Sequence, residues 1–299
     1  MTRALKTAVL AVGAFLLVAG ITASAMPQLL YTAAAWWYDP GTFPSLDEDP
    51  RIHYEPGAEA YARAVAAIMP QAVKRVETAQ GRPFAAPITV TVFATQATYR
   101  QWNGLGSYKP KGTSLDTRVS LSPGLWTEAS GRNALEPILT HELSHVHFQT
   151  YLGPLKYARI PRWFLEGVAV VVSNGGGAEK VSSDAARRAI ASRYAITVSD
   201  TATWLHHGFD TPQPSGSATS RDDVFYNMMY RQAALFVAFL QDHNPKGFAE
   251  LMSQLLDGRP FASAFDQSLG YTVADAWNKF TASIGPLGDG HSSREEGGG

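Results

Sequence analysis

HELSHVHFQT, residues 141–150, holds three of the chain's eight histidines and one glutamate within seven positions. Asn133, with Glu136 three residues on and Pro137 next, reads as the start of a helix over 133–151, opened by a capping box with proline in the first turn. Leu135, Ile138, Leu139, Leu143, Val146 and Phe148 supply its apolar positions. On such a helix His141 and His145 stand at i and i+4, so both imidazoles project from one face, one turn apart. Two nitrogens placed that way can reach one cation at about 2.0–2.1 Å. Glu142 is rotated by about 100° from His141 and flanks that point without becoming a ligand. This is the H-E-x-x-H arrangement, in which the glutamate serves as general base. His147 falls about 240° around the helix from His141 and reads as a surface or packing residue. The competing reading is a helix with two solvated histidines.

A third donor separates the two readings, because a catalytic zinc takes three protein ligands and keeps one position open. The chain has no cysteine, so the donor must be His, Asp or Glu. Downstream, PRWFLEGVAVVVS (161–173) is apolar apart from Arg162 and Glu166. A lone carboxylate among Trp163, Phe164, Leu165, Val168, Val170 and Val171 is costly unless it is paired or metal-bound. Glu166 therefore either ligates the ion or pairs with Arg162 four residues back. Gly167 and Ala169 are small enough to let this helix close on the histidine helix.

With H-E-L-S-H followed twenty residues later by P-R-W-F-L-E-G-V-A, the chain resembles the gluzincin zinc metallopeptidases, in particular the peptidase MA-like group. The resemblance covers roughly residues 87–282 and rests on those two motifs. It implies a thermolysin-like catalytic core, one zinc ion held by His141, His145 and Glu166, and Glu142 as general base. Many members carry an acid one turn after the third ligand to orient a zinc histidine; Val170 stands there, so a backbone carbonyl or another residue must take that role. Several members use a tyrosine on a later helix as oxyanion donor. VFYNMMYRQAALFVAFL (224–240) offers Tyr230 for it, with Tyr226 and the pair His206 and His207 as weaker candidates.

Around this centre the chain reads as α+β, a small N-terminal sheet followed by a mostly helical part. PITVTVFAT (87–95) and RVSLSPG (118–124) read as strands, ATYRQWNG as a short helix closed by Gly104, and YKPKGTSLDT as a turn-rich loop. The second strand lies just before the active helix, either as an edge that could pair with an extended peptide or as an ordinary internal strand. A helix over 57–80 should kink or split at Pro70. Further helices are expected over 161–173, 183–195, 222–243, 245–257 and 272–282. Residues 56–284 then form the metallopeptidase-like domain, 26–55 an extended lead-in, 210–223 a mobile connection, and 285–299 a disordered tail. Trp36, Trp37 and Tyr38 either sit at a membrane interface or pack on the domain.

Residues 1–25 carry Arg3, Lys6, an apolar run from Thr7 to Ala25, no acid, and Ala23-Ser24-Ala25. That is the layout of an export signal, cleaved or kept as an anchor through 7–25. Either way the remainder is exported, secreted or held at the outer face of the membrane. A net charge of −1 without a long Lys/Arg run excludes the electrostatic footprint of a nucleic-acid binder. The expected function is an exported zinc metallopeptidase that hydrolyses peptide or protein substrates with a zinc-activated water. Its alternatives are a non-catalytic zinc-binding scaffold domain of the cell envelope and a zinc amidase acting on wall material. Glu142 favours an enzyme, since holding zinc does not require it.

Overall fold

A computed structural model describes residues 27–106, 110–201 and 222–284. It is mixed α and β, mostly helical, with one four-stranded sheet. The chain divides into two compact units. Of the described residues, one comprises those up to Met69 with those of Ile88–Leu135; the other comprises Pro70–Pro87 and those from Glu136 onward.

The first unit is built on the sheet. Strands β1 (Ile52–Tyr54), β2 (Thr89–Val92), β3 (Gly112–Leu115) and β4 (Arg118–Leu121) lie in the order β1-β2-β4-β3. The β1–β2 and β2–β4 pairs are parallel, and β3 runs antiparallel to β4 with Ser114 opposite Val119. Val90 and Val92 are buried, and so is Thr91 between them, so β2 is covered on both faces as parallel strands are. β4 has a neighbour on each side. Its backbone is fully engaged, and the peptide-pairing edge considered for it is ruled out. Two strands had no sequence signal: β3 lies in the stretch expected as a loop, and β1 in the expected lead-in.

That lead-in also contains a helix, α1 (Pro27–Trp37), in place of extended chain. Arg118 explains its end: the guanidinium donates to the carbonyls of Ala35, Trp36 and Tyr38, which no intrahelical N–H satisfies. Tyr38 is buried and stacks on Trp102 at 4.9 Å between ring centres, whereas Trp37 is 85% exposed. The aromatic trio is thus split, Tyr38 packing on the domain and Trp37 facing solvent. Helix α2 (Glu59–Gln80) runs through Pro70 without interruption. Pro70 is exposed and Ala66 partly so, which leaves the carbonyl freed by the missing N–H open to water. Helix α3 (Gln96–Trp102) starts at Thr95, whose hydroxyl accepts from Thr98 N, and Gly104 leaves it at φ 77°.

A short helix, α4 (Gly124–Thr127), leads into α5 (Ala129–Tyr157). The start expected at Asn133 is therefore a turn late. Gly131 permits the earlier start, because a Cβ there would stand 2.2 Å from Gly124 O. Asn133 is exposed within the helix, and Glu136 pairs with Arg75 at 3.2 Å instead of capping. Every residue from Ile138 to Gln149 is buried, so the histidines are not on a solvated helix face. Within the second unit His147 donates from Nε2 to Arg82 O at 2.9 Å and packs its ring on Phe84 and Tyr151, the packing role expected of it.

The remaining helices are α6 (Arg162–Val172), α7 (Ser183–Ala191), α8 (Asp222–His243), α9 (Pro245–Leu256), α10 (Phe261–Leu269) and α11 (Val273–Ile284). Helix α7 stops short of the expected 195, with Arg193 beyond it in the left-handed region at φ 63°. Helix α10 has no counterpart in the sequence reading. Trp163, Phe164, Phe236, Phe261 and Phe280 are buried together at the centre of the unit, ring against ring. Gly167 does not face the histidine helix. A Cβ on it would meet Val237 Cγ2 at 2.6 Å and Ala233 O at 2.7 Å, so the glycine serves the close approach of α6 and α8. Among the described residues no helix is long and apolar enough to cross a membrane. The apolar run Thr7–Ala25, His206 and His207, most of the 210–223 connection and the 285–299 tail lie outside the described residues.

Candidate metal centre

His141 and His145 come from adjacent turns of α5, and Glu166 from the second turn of α6. All three are buried. His141 Nε2 lies 3.1 Å from Glu166 Oε2, His145 Nε2 lies 3.4 Å from the same oxygen, and the two Nε2 atoms are 3.2 Å apart. Donors at about 2.0–2.1 Å from a tetrahedral ion stand roughly 3.3–3.4 Å from one another. The triangle therefore has the size of one face of such a tetrahedron. Among the described residues this is the group that could hold a metal ion.

The far sides of the rings explain why these nitrogens are available. His141 Nδ1 is 2.9 Å from Gly176 O. A carbonyl can only accept, so Nδ1 carries a proton, and the ring in its neutral form would present its lone pair to a cation at Nε2. His145 Nδ1 is 3.2 Å from the Tyr157 hydroxyl. The orienting groups that the sequence left unnamed are thus a backbone carbonyl and a phenol. Val170, one turn after Glu166, is buried against Ala178 and Ala234.

Glu166 makes the Arg162 pair and also lies within reach of both imidazoles. Its Oε2 faces the imidazoles, while Oε1 accepts from Arg162 Nη2 at 2.7 Å. Burial works against its charge, but Arg162 and the two histidines outweigh it and hold the carboxyl well below its usual range. For His141, burial opposes protonation; the hydrogen bond and charge of Glu166, with Glu142 and the Gly176 carbonyl, outweigh it and raise the pKa. Positive charge is therefore favoured between these side chains, whether carried by a proton or by a divalent cation. Two imidazoles and one carboxylate with no thiolate form a donor set that suits a divalent transition-metal ion.

Glu142 is buried, and its charge acts on both His141 and Tyr157. Tyr230, on α8, lays its ring against His141 at 6.1 Å between centres, with its hydroxyl 3.5 Å from Arg162 Nη2. Tyr226 is one turn away, its ring 6.5 Å from that of Tyr230. The structure thus gathers His141, His145, Glu166 and Tyr230, and adds Tyr157, Arg162 and Gly176, which the sequence did not assign to the site.

No family model, curated protein or solved structure matches the chain. The assignment of a metal centre accordingly rests on geometry.

The loop after α6 shapes the His141 side. Gly177 has φ 82°, and a Cβ on it would come within 3.0 Å of His141 Cε1 and 3.3 Å of the Tyr230 ring. Arg231 on α8 fixes this loop by donating to Ala178 O and Val181 O, each at 2.9 Å. Gly177→Ala should therefore push the imidazole from its place and weaken any divalent-cation binding at this group by about tenfold to a hundredfold, the scale of a lost orienting contact. Competition with a chromophoric chelator measures it, and an unchanged affinity would mean that the loop yields instead of the histidine.

Proposed function

We propose that this chain is an exported zinc metallopeptidase of the gluzincin type, acting on peptide or protein substrates. The observation that carries the reading is the triangle of three buried donors with tetrahedral spacing, beside which the sequence places a glutamate that metal binding does not need. The motif pair H-E-x-x-H and W-F-L-E-G supports it, as does the lone-pair tautomer that Gly176 imposes on His141. Export rests on the N-terminal signal-like segment alone.

His141, His145 and Glu166 would hold the ion. When bound, zinc polarises a substrate carbonyl and acidifies a water molecule. Glu142 accepts a proton from the attacking water and delivers it to the leaving amine. Tyr230 donates a hydrogen bond from its hydroxyl to the developing oxyanion. Arg162 engages Glu166 Oε1 and leaves Oε2 to face the imidazoles. The low-dielectric surroundings of the buried His141, Glu142, His145 and Glu166 strengthen the interactions among them.

The test pairs metal analysis with cleavage profiling. Purified protein should contain one zinc per chain and cut members of a peptide library; a chelator should stop cleavage and added zinc restore it. One bound zinc with no peptide cut would overturn the peptidase reading. Cleavage of wall-derived amides in that case would point to an amidase, and no hydrolysis at all to a scaffold domain.

A further inference from the structure

The hydrogen bond between His145 and Tyr157 joins residues twelve positions apart on one helical stretch. On an uninterrupted helix that separation is about 18 Å along the axis, beyond the reach of a tyrosine side chain. The contact exists because α5 breaks at Gly153, where φ is 62° and ψ is 173°. That combination is essentially restricted to glycine. Space is not the reason for glycine, since a Cβ there would meet nothing within 4 Å. Pro154 then restarts the turn, as proline does at a first helical position, and carries Tyr157 back toward the site. Ala158 N closes this turn on Pro154 O at 3.0 Å.

Among the described residues no carbonyl lies on the far nitrogen of His145 as that of Gly176 does on His141. With the proton on Nδ1 the ring offers a lone pair at Nε2, and the phenol oxygen at 3.2 Å is placed to accept from that Nδ1–H. Tyr157 is partly buried, and its hydroxyl is the group that reaches this nitrogen.

We infer that Tyr157, brought back by the break at Gly153, is the positioning residue that sets the orientation and tautomer of His145 for metal binding. The inference rests on the metal-centre reading above and goes beyond the assigned ligands. It gives the Gly153-Pro154 pair a purpose: to return an acceptor to the second histidine.

Full-length wild type and Tyr157→Phe should be compared for zinc affinity by chelator competition and for the visible absorption of the cobalt(II)-loaded protein. Loss of the hydroxyl alone should weaken zinc binding by about tenfold to a hundredfold and alter the cobalt band, while the melting temperature of the metal-free protein stays near wild type. A merely structural tyrosine would lower that melting temperature and leave the cobalt spectrum alone. Wild-type affinity and an unchanged spectrum in Tyr157→Phe would overturn the inference. Failure of wild type itself to bind zinc or cobalt would instead remove the metal centre on which it stands.

Discussion

Glu142→Gln is expected to lower peptide hydrolysis by roughly 10²–10⁴-fold, the usual contribution of a positioned acid–base group, with one zinc per chain retained. The amide has the shape of the carboxylate but cannot take a proton from water. Solvent is a poor substitute, because Glu142 is buried. The ion depends on other groups: the three donor atoms at 3.1–3.4 Å from one another belong to His141, His145 and Glu166. Rate measurements on a cleaved peptide, alongside metal analysis of the same preparation, separate the two quantities. Undiminished turnover would require a different base, and loss of zinc would make Glu142 part of the binding site.

Glu166→Ala is expected to act on the other quantity. Structural zinc sites contribute about 10–16 kcal/mol through four ligands, or roughly 3 kcal/mol per donor, so removing one should cost about a hundredfold to a thousandfold in affinity. Activity should fall with occupancy and recover partly at high zinc concentration. The fold should tolerate the change, because the partner left behind, Arg162, is 54% exposed and can be hydrated. Chelator competition gives the affinity and thermal melting checks the fold. Affinity equal to wild type would show that the carboxylate serves Arg162 alone.

Much of the centre was legible because helical spacing is a local property. The i,i+4 pair of histidines needed only a helix, and Glu166 drew notice as an isolated charge in an apolar run. The resemblance to gluzincins pointed to Tyr230, which the structure places against His141. What stayed hidden depends on contacts distant in sequence. A carbonyl has no residue-type signature, so Gly176 could be found only by closing the loop onto His141. Tyr157 was invisible because its distance from His145 is set by one glycine whose dihedrals no pattern announces. Pairing with Arg162 does not exclude metal binding, because a carboxylate has two oxygens: Oε1 takes Arg162 and Oε2 faces the imidazoles.

For the fold, β2, β4 and the long helices α2, α8, α9 and α11 follow from periodicity, and the mixed class follows from their order. The strands β1 and β3, of three and four residues, are too short for an alternating pattern and become strands by pairing with β2 and β4. Helix α1 is capped by an arginine some eighty residues away, and the capping box at Asn133 yielded to the close approach of Gly131 and Gly124.

The amino-acid order by itself determined the paired imidazoles, the adjoining acid and the carboxylate-bearing apolar helix, because each is written within a few turns of one element. Only the tertiary structure decided that these elements converge, which oxygen of Glu166 turns inward and what holds each ring, because those outcomes depend on chain segments that meet after folding.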